Sequence, residues 1–148
     1  MNSEFKRLFG IVGFPLNKPR SIKIWKSYFK KKKISADMLP FEVKKKDIDN
    51  FFLSLSGNKR FCAAAITMPY KKYFFKNTII NDKLTKYAGT VNLILKKYNK
   101  IYGYNTDVLG AISSIPKKTS KILIIGQGGT GQAILNVLFN IKKKSKFY

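Results

Sequence analysis

The sequence predicts an α/β protein built on a mainly parallel sheet with helices on both faces, a three-layer arrangement. Short runs rich in Val, Ile, Phe and Ala alternate with longer segments of helical periodicity over about the first half of the chain. Gly-Phe-Pro and Ser-Gly mark turns between these segments. Hydrophobic residues make up 45% of the 148 residues, enough for a packed core. Because strands joined by crossover helices run parallel, the alternation favours a parallel sheet with right-handed crossovers.

The first half of the chain is predicted to fold as strand, helix, strand, helix, strand. Residues 8–13 are the first strand, because they form a short apolar run that ends in Gly-Phe-Pro. Ser21 is predicted to cap the helix that follows. One face of that helix carries an apolar stripe, consisting of Ile22, Trp25, Tyr28 and Phe29. The next elements are a strand at 36–43, a helix at 47–55 with Ile48, Phe51, Phe52 and Leu55 inward, and a strand at 61–68.

The second half is predicted to mix short helices with a hairpin. Its elements, in order, are a lysine-rich helical turn after Pro69, a short helix at 82–88, hairpin strands at 90–96 and 100–104, and a connecting helix at 105–114. A polar linker is expected at 116–120. We place a domain boundary at this linker, which divides the chain into a first domain of residues 1–115 and a second segment of residues 116–148.

A glycine turn late in the sequence predicts the start of a nucleotide-binding unit. The run KILIIGQGGTGQAILNVLFNI, residues 121–141, has the pattern of a buried strand, a glycine turn and an amphipathic helix. Such glycines let the backbone approach a pyrophosphate, whose charge the helix N-terminus then stabilises. The candidate cofactor-binding residues are Gly126, Gly128, Gly129 and Thr130. This is an incomplete Rossmann-type βα unit, because its second strand begins only at about residue 146.

The apolar run at 122–125 needs cover on both faces if it forms a strand. A strand and helix of this size cannot bury their own apolar faces. We expect the unit to dock on the first domain, to associate with another copy of the chain, or to fray. We also expect high mobility beyond about Ser120.

Composition excludes several classes of site. Histidine is absent, which removes Ser-His and Cys-His hydrolase sites and the usual zinc sites, and no metal is expected. The single Cys62 cannot form an internal disulfide and is predicted to be a buried structural thiol. Because the sequence has neither an apolar run of transmembrane length nor a signal-peptide pattern, we expect no membrane association and a cytoplasmic location.

The net charge of +23 raises the question of nucleic-acid binding. Only three of the 30 basic residues are arginines (Arg7, Arg20 and Arg60), whereas proteins that read guanine and phosphate favour arginine. Lysine, isoleucine, asparagine and phenylalanine are enriched together, as an AT-rich coding bias produces. We therefore expect no specific nucleic-acid partner, and a basic nucleic-acid-binding protein is kept as a third class.

Polar residues interrupt three apolar strand ends, at 65–71, 89–92 and 103–107. In a parallel sheet such ends line one crevice. There Lys71 can donate a proton, and Asp107 can hold its ammonium group. Three further side chains can hydrogen-bond a polyol or a hydroxy acid, namely Asn92, Thr67 and Asn105.

These segments resemble the motifs of the shikimate dehydrogenase family, in the family's order and near its spacing. The matching segments are GFP followed by PRSI, then ITMPYK, GTVNL, GYNTD and GQGG. The resemblance implies a substrate-binding α/β domain followed by the start of an NADP-binding domain. It also implies the reversible reduction of 3-dehydroshikimate to shikimate, a step of chorismate and aromatic amino-acid biosynthesis, by a monomer or homodimer.

By the same resemblance, Lys71 and Asp107 are the catalytic pair. Hydride delivery to a ketone develops an alkoxide, which needs a proton or a cation beside it. The implied substrate ligands are Ser21, Thr67, Lys71, Asn92 and Asp107. NADP is the implied cofactor. NAD stays open, because the residue that distinguishes the two lies after the second nucleotide strand.

Two positions depart from the family's pattern. Pro19 stands where the first serine of a Ser-x-Ser motif helps to bind the substrate carboxylate, and Ile22 stands in place of a proline. Losing a hydrogen bond to a charged acceptor costs about 1.5–3 kcal/mol, or roughly ten- to hundredfold in affinity, unless Lys18 or Arg20 compensates. The main alternative is therefore a non-catalytic or truncated binder of a cyclic hydroxy acid such as quinate. Members of the family are nearly twice as long, so activity of these residues alone is left open.

Overall fold

A five-stranded sheet organises the first part of the chain in the computed structural model, which describes residues 6–116, 118–126 and 128–142. The strands are β1 (Arg7–Gly13), β2 (Ala36–Glu42), β3 (Phe61–Ile66), β4 (Leu93–Lys97) and β5 (Lys100–Tyr104). Their order across the sheet is β2-β1-β3-β4-β5. β1 pairs in parallel with β2 and β3, whereas β4 pairs antiparallel with β3 and β5. The predicted α/β class and the hairpin are confirmed.

In the described residues, six helices connect or cover the strands. They are α1 (Arg20–Lys31), α2 (Ile48–Gly57), α3 (Lys71–Asn77), α4 (Lys83–Ala88), α5 (Thr106–Ser113) and α6 (Gly129–Lys142). A 3-10 turn at Lys45–Asp47 leads into α2. Each helix lies where the sequence predicts one, with ends that differ by a few residues. No helix in this described part of the chain is both long and apolar enough to cross a membrane.

The main core lies between one face of the sheet and the helices α2 and α3. Phe74 of α3 is fully buried, and the Phe52 ring of α2 packs edge-on against it at 5.7 Å between centroids. The strands contribute buried aliphatic side chains, including Val12, Ile66 and Ile94. The inward face predicted for α2 is confirmed, because Ile48 and Leu55 are buried while Phe51 and Phe52 pack against the core.

Helix α1 differs from the prediction in its start and in its buried face. Ser21 does not cap it, because α1 begins at Arg20 and Ser21 is its second residue. Pro19 precedes the helix with an extended backbone and no side-chain cap, since its ring fixes φ at −62° and carries no hydroxyl. On the predicted apolar stripe, Phe29 is buried, but Trp25 and Tyr28 are 46% and 44% exposed.

Residues 121–126 do not form the predicted buried strand. Leu123 and Ile125 are 85% and 91% exposed. A strand exists only when its backbone pairs with another, and the described residues place no strand beside this run. An open apolar groove of about 440 Å³ lies between this run and α6, lined by residues that include Ile124 and Leu135. The second nucleotide strand predicted from about residue 146 lies outside the described residues, and the predicted mobility stays a prediction.

Helix α6 docks on α4 and α5 through a second, smaller core. Ala133 and Val137 of α6 are buried against Ala88 of α4 and Val108 of α5. We expected the apolar faces of the nucleotide unit to dock on the first domain, to pair with another copy, or to fray. The helix of that unit docks on the first domain. This docking carries the start of α6 toward the carboxyl ends of the strands.

The docking predicts that Val137→Ala loosens α6 without unfolding the sheet. Removing two buried methyl groups costs about 2 kcal/mol. This cost lowers the free energy of opening α6, whereas the free energy of opening the sheet stays the same. Amide hydrogen exchange should therefore accelerate within α6 and stay unchanged in β1 and β3. Phe139→Ala is the matched control, because Phe139 is on the same helix but 61% exposed. Equal acceleration in both variants would contradict the docked arrangement.

A second prediction concerns alkaline pH and Tyr73. Burial, reinforced by the hydrogen bond that its hydroxyl donates to Asp49 Oδ1 at 2.6 Å, raises the pKa of Tyr73 well above its ordinary value. A folded-state pKa above the unfolded one of about 10 means that the folded state holds this proton more tightly. The stabilisation is complete below pH about 10 and is lost as the pH rises toward the folded value.

In urea titrations, the free energy of unfolding should therefore fall less steeply above pH about 10 in Tyr73→Phe than in the wild type. Tyr98→Phe is the control for general alkaline effects, because that ring is 85% exposed. If Tyr73→Phe follows the wild-type curve, the hydroxyl is not held in the way described.

Candidate functional site

Three segments meet at one edge of the sheet, as their sequence pattern predicts. The carboxyl ends of β3 and β5 lie there together with the start of β4. The backbone joins them directly, because the Ile66 amide donates to the Asn92 carbonyl at 2.8 Å and the Asn92 amide donates to the Tyr104 carbonyl at 3.0 Å. The Val91 amide donates to the carbonyl of Lys71 at 2.9 Å. The loops that follow β3 and β5 are thereby held side by side.

Lys71 and Asp107 form an ion pair at this edge. Lys71 is the first residue of α3, and Asp107 is the second residue of α5. Lys71 Nζ lies 2.6 Å from Asp107 Oδ2, and the two side chains are 18% and 35% exposed. Partial burial strengthens their attraction relative to a surface pair while leaving a path for a small molecule. A short, charge-assisted hydrogen bond of this kind fixes the direction of the ammonium group.

Asn92 holds the other oxygen of the same carboxylate. Its Nδ2 donates to Asp107 Oδ1 at 2.7 Å, and its Oδ1 accepts from the Thr106 amide at 2.8 Å. Asp107 therefore has one oxygen on an amide and one on an ammonium, which sets the plane of the carboxylate. Thr106 Oγ1 also accepts from Asn92 Nδ2 at 2.9 Å. Thr106 is a site residue that the sequence prediction omitted, although it stands inside the GYNTD segment.

Asn105 has a structural role rather than the predicted ligand-binding one. It is 5% exposed, and its Nδ2 donates to the carbonyl and to the hydroxyl of Thr90 at 3.0 and 2.9 Å. Its Oδ1 accepts from the Val108 amide at 3.0 Å, which caps the N-terminus of α5. The signal available in the sequence was the preference of asparagine for the N-cap position ahead of a helix.

Thr67 and Ser21 lie along the same edge of the sheet, the rim of the site, but make no hydrogen bond to the ion pair among the described residues. The Thr67 amide donates to the Val12 carbonyl at 2.9 Å, which places Thr67 between the ends of β1 and β3. Ser21 is half-buried in the first turn of α1, after the loop that leaves β1. Among the described residues, no hydrogen bond links either side chain to Lys71 or Asp107.

Gly126, Gly128 and Gly131 leave open space and backbone freedom at the start of α6. Gly126 has a φ of +100°, a region that favours glycine. A Cβ on Gly131 would lie 2.3 Å from the Gly126 carbonyl oxygen, so the turn folds tightly onto the helix start. A Cβ on Gly128 would meet nothing within 4 Å, so the space above the turn is open. The residues present therefore fit a pyrophosphate at the N-terminus of this 14-residue helix.

Thr130, in the first turn of α6, contacts the ion pair itself. Its Oγ1 accepts from Lys71 Nζ at 3.0 Å and lies 3.4 Å from Asp107 Oδ2, to which it donates. The sequence prediction grouped Thr130 with the cofactor-binding glycines, and the structure adds contacts with both candidate catalytic residues. The described residues hold no cluster of acidic or cysteine side chains able to bind a metal ion.

Three features together indicate the class of protein, which is the substrate-binding domain of a dehydrogenase. They are an α/β sheet, a half-buried Lys-Asp pair at the strand ends, and a glycine turn that opens a helix. The sequence model of the shikimate dehydrogenase substrate binding domain matches residues 11–94, more than half of the chain. The chain belongs to the shikimate dehydrogenase family.

Individual relatives agree with this family. The NADP(+) shikimate dehydrogenase of Pyrococcus furiosus is 35% identical over 140 residues, which cover 90% of this chain and 50% of that protein. The enzyme of the same name from Leptospira interrogans is 31% identical over 134 residues, covering 86% and 46%. The chain thus spans about half the length of the relatives it matches.

Solved structures show the same fold. The crystal structure of shikimate dehydrogenase from Aquifex aeolicus superposes with a TM-score of 0.80 at 26% identity and covers 95% of this chain and 54% of that one. Shikimate dehydrogenase 1 from Peptoclostridium difficile gives a TM-score of 0.73 at 30% identity, covering 90% and 51%. The ligand-free 5-ketofructose reductase of Gluconobacter gives a TM-score of 0.77 at 19% identity, covering 91% and 50%, and has the same fold.

The different roles of the two asparagines predict different mutant phenotypes. Asn105→Ala removes a helix cap and leaves the buried Thr90 carbonyl without its side-chain donor, so it should lower the free energy of unfolding by about 2–4 kcal/mol. Asn92→Ala should cost no more than about 1.5 kcal/mol, because this side chain is only half-buried. Urea unfolding of both variants checks the difference, and similar losses would place both residues in the same role.

Proposed function

We propose that this chain is the substrate-binding part of an NADP-dependent shikimate dehydrogenase, together with the first unit of its cofactor domain. The reaction is the reversible reduction of 3-dehydroshikimate to shikimate. The observation that carries the proposal is the 2.6 Å contact between Lys71 and Asp107 at the rim where three strand-end segments meet. The names of relatives at 31–35% identity support the same reaction.

In this proposal Lys71 is the proton donor. Reduction of a ketone to an alcohol adds a hydride to the carbonyl carbon and a proton to its oxygen, and NADPH supplies the hydride when it is bound. Negative charge develops on the oxygen during the transfer, and the adjacent ammonium group stabilises it and then gives it a proton. The neutral amine regains a proton from solvent. In the reverse direction the amine accepts the proton of the alcohol.

Asp107 orients this chemistry. Its Oδ2 fixes the ammonium group of Lys71, while Asn92 fixes Oδ1 and thereby the rotation of the carboxylate. Asp107 is the more exposed partner, which leaves it room to accept a hydrogen bond from a hydroxyl of the substrate. We assign Thr67, Asn92 and Ser21 to the remaining polar groups of the substrate, on the family resemblance and their place along the same rim.

The cofactor residues of the proposal are the glycine turn and the helix start. Gly126, Gly128 and Gly129 leave the space for the pyrophosphate, and the N-terminal amides of α6 supply its hydrogen-bond donors. This assigns residues 1–115 to the substrate domain and residues 116–148 to the beginning of the cofactor domain.

A specific observation keeps a second function in view. Pro19 leaves the start of α1 without the hydroxyl that the family's pattern uses for the substrate carboxylate. Quinate also carries a carboxylate, but on a saturated ring carbon that bears a hydroxyl, so this group leaves the ring in a different direction from the carboxylate of shikimate and takes a different set of contacts. Calorimetric titration of quinate beside shikimate separates these two functions.

The test is the appearance of reduced-nicotinamide absorbance when the chain is mixed with shikimate and NADP, with calorimetric titration of shikimate alongside. Lys71→Met should lower kcat about 10²- to 10⁴-fold with a much smaller change in KM, because a proton donor acts mainly in the transition state. Lys72→Met is the matched control, since Lys72 is the exposed next residue of α3. Equal rates for Lys71→Met and the wild type would refute the assignment.

Binding without turnover has a separate meaning. If the chain binds shikimate but reduces no NADP, the enzyme proposal for these residues alone fails and the binder remains. If quinate binds and shikimate does not, the substrate is the other acid. If neither acid binds, the proposed site itself is wrong.

A further inference from the structure

The Thr130 hydroxyl sits between the two groups that act on the substrate in the proposed reaction. It lies 3.0 Å from Lys71 Nζ and 3.4 Å from Asp107 Oδ2, while those two atoms are 2.6 Å apart. The three atoms form a closed triangle of hydrogen bonds. Thr130 belongs to α6, and its partners are 59 and 23 positions earlier in the chain, so this contact joins the nucleotide unit to the rim of the sheet.

In this triangle, the Thr130 hydroxyl has the hydrogen-bond donor and acceptor pattern that a bound alcohol would have. A threonine hydroxyl has one proton and two lone pairs, so it accepts from the ammonium of Lys71 while it donates to the carboxylate of Asp107. A secondary alcohol of a substrate has the same donor and acceptor groups, and the proposed proton transfer requires its oxygen to contact Lys71 Nζ. The Thr130 oxygen therefore occupies a position that the reacting oxygen also needs.

The rest of the first turn closes the same space. A Cβ on Gly129 would lie 4.0 Å from Lys71 Cδ, so the backbone of α6 runs alongside the lysine side chain. The apolar contacts that hold α6 in place are further along the helix, at Ala133 and Val137. The first turn can thus leave the ion pair while the rest of the helix keeps its docked position.

We propose that Thr130 is an internal ligand of the Lys71–Asp107 pair that the substrate displaces. The inference rests on the proposed function, because it takes the reacting oxygen to bind between these two side chains. Substrate binding and the contact of the first turn are then mutually exclusive. The affinity for the substrate is lowered by the stability of the Thr130 contact, as for any ligand that must displace a competing group.

The closing experiment compares Thr130→Val with Thr130→Ser. Valine has the shape of threonine without the hydroxyl, and both are β-branched, so the helix is preserved. Serine keeps the hydroxyl and is the rescue variant. Thr119→Val is the matched control, because Thr119 is exposed in the segment before the glycine turn. Shikimate affinity is measured by calorimetry for all four proteins.

Thr130→Val should bind shikimate about tenfold more tightly than the wild type, the effect of losing one competing hydrogen bond to a charged group. Thr130→Ser and Thr119→Val should match the wild type. Affinity that is unchanged or weaker in Thr130→Val overturns the inference. Failure of every protein to bind shikimate is a failure of the proposed function instead.

Hydrogen exchange tests the contact without any substrate. The Gln132 amide donates to the Gly128 carbonyl at 3.0 Å, so its exchange reports on the first turn of α6. It should exchange several-fold faster in Thr130→Val than in the wild type, with Thr130→Ser restoring the slow rate. Saturating shikimate should accelerate the wild-type amide and leave that of Thr130→Val unchanged. If Thr130→Val exchanges at the wild-type rate, no such contact holds the turn and the inference is wrong whatever the binding data show.

Discussion

The contact between Lys71 and Asp107 depends on backbone pairing over a long stretch of chain, because the two residues are 36 positions apart. The antiparallel pairing of β4 with β3 and with β5 brings the segments after β3 and β5 to the same edge of the sheet. Asn92, directly before β4, then bonds the backbone of both neighbouring strands and the Asp107 carboxylate. Without this hairpin, the ammonium and the carboxylate would be two isolated surface charges, whose attraction water largely screens.

The segment GYNTD shows how adjacent residues divide structural and functional tasks. Asn105 is turned into the protein, where it caps α5 and binds the backbone and side chain of Thr90. Thr106 and Asp107 then point outward from the first turn, toward Asn92 and Lys71. Because a buried amide tolerates no unpaired group, Asn105 fixes the position of that turn. The geometry of Thr106 and Asp107 therefore follows from the preceding residue, whose side chain bonds to Thr90 and Val108 and not to them.

The sequence was sufficient to predict elements that follow from hydrophobic periodicity. It was insufficient to predict features that depend on which other segment of the chain packs beside them. Alternating runs predicted β1 to β5 and, through the carboxyl-end rule, the meeting of Lys71 with Asp107. Residues 121–126 have the composition of a strand, but strand formation needs a neighbouring backbone, which local pattern does not encode. Asn105 and Asn92 are the same residue type in similar strand-end contexts. The position of Asn105 ahead of a helix indicates a cap, but its burial, which turns it away from the ion pair, depends on packing that local pattern does not encode.

The docking of α6 is weak enough for a small ligand to compete with it locally. The fully buried side chains of α6 are Ala133 and Val137, with Ile134 packed beside them, and burying a valine side chain contributes about 1.5–3 kcal/mol. A metabolite that binds with a Kd of about 1 mM releases about 4 kcal/mol, so the two free energies are of similar size. The apolar contacts of Ala133 and Val137 keep the glycine turn near the ion pair, whereas only the contacts of Thr130 in the first turn have to break when a ligand takes their place. In the proposed function, this division of contacts lets the first turn yield to a substrate while the rest of α6 stays docked.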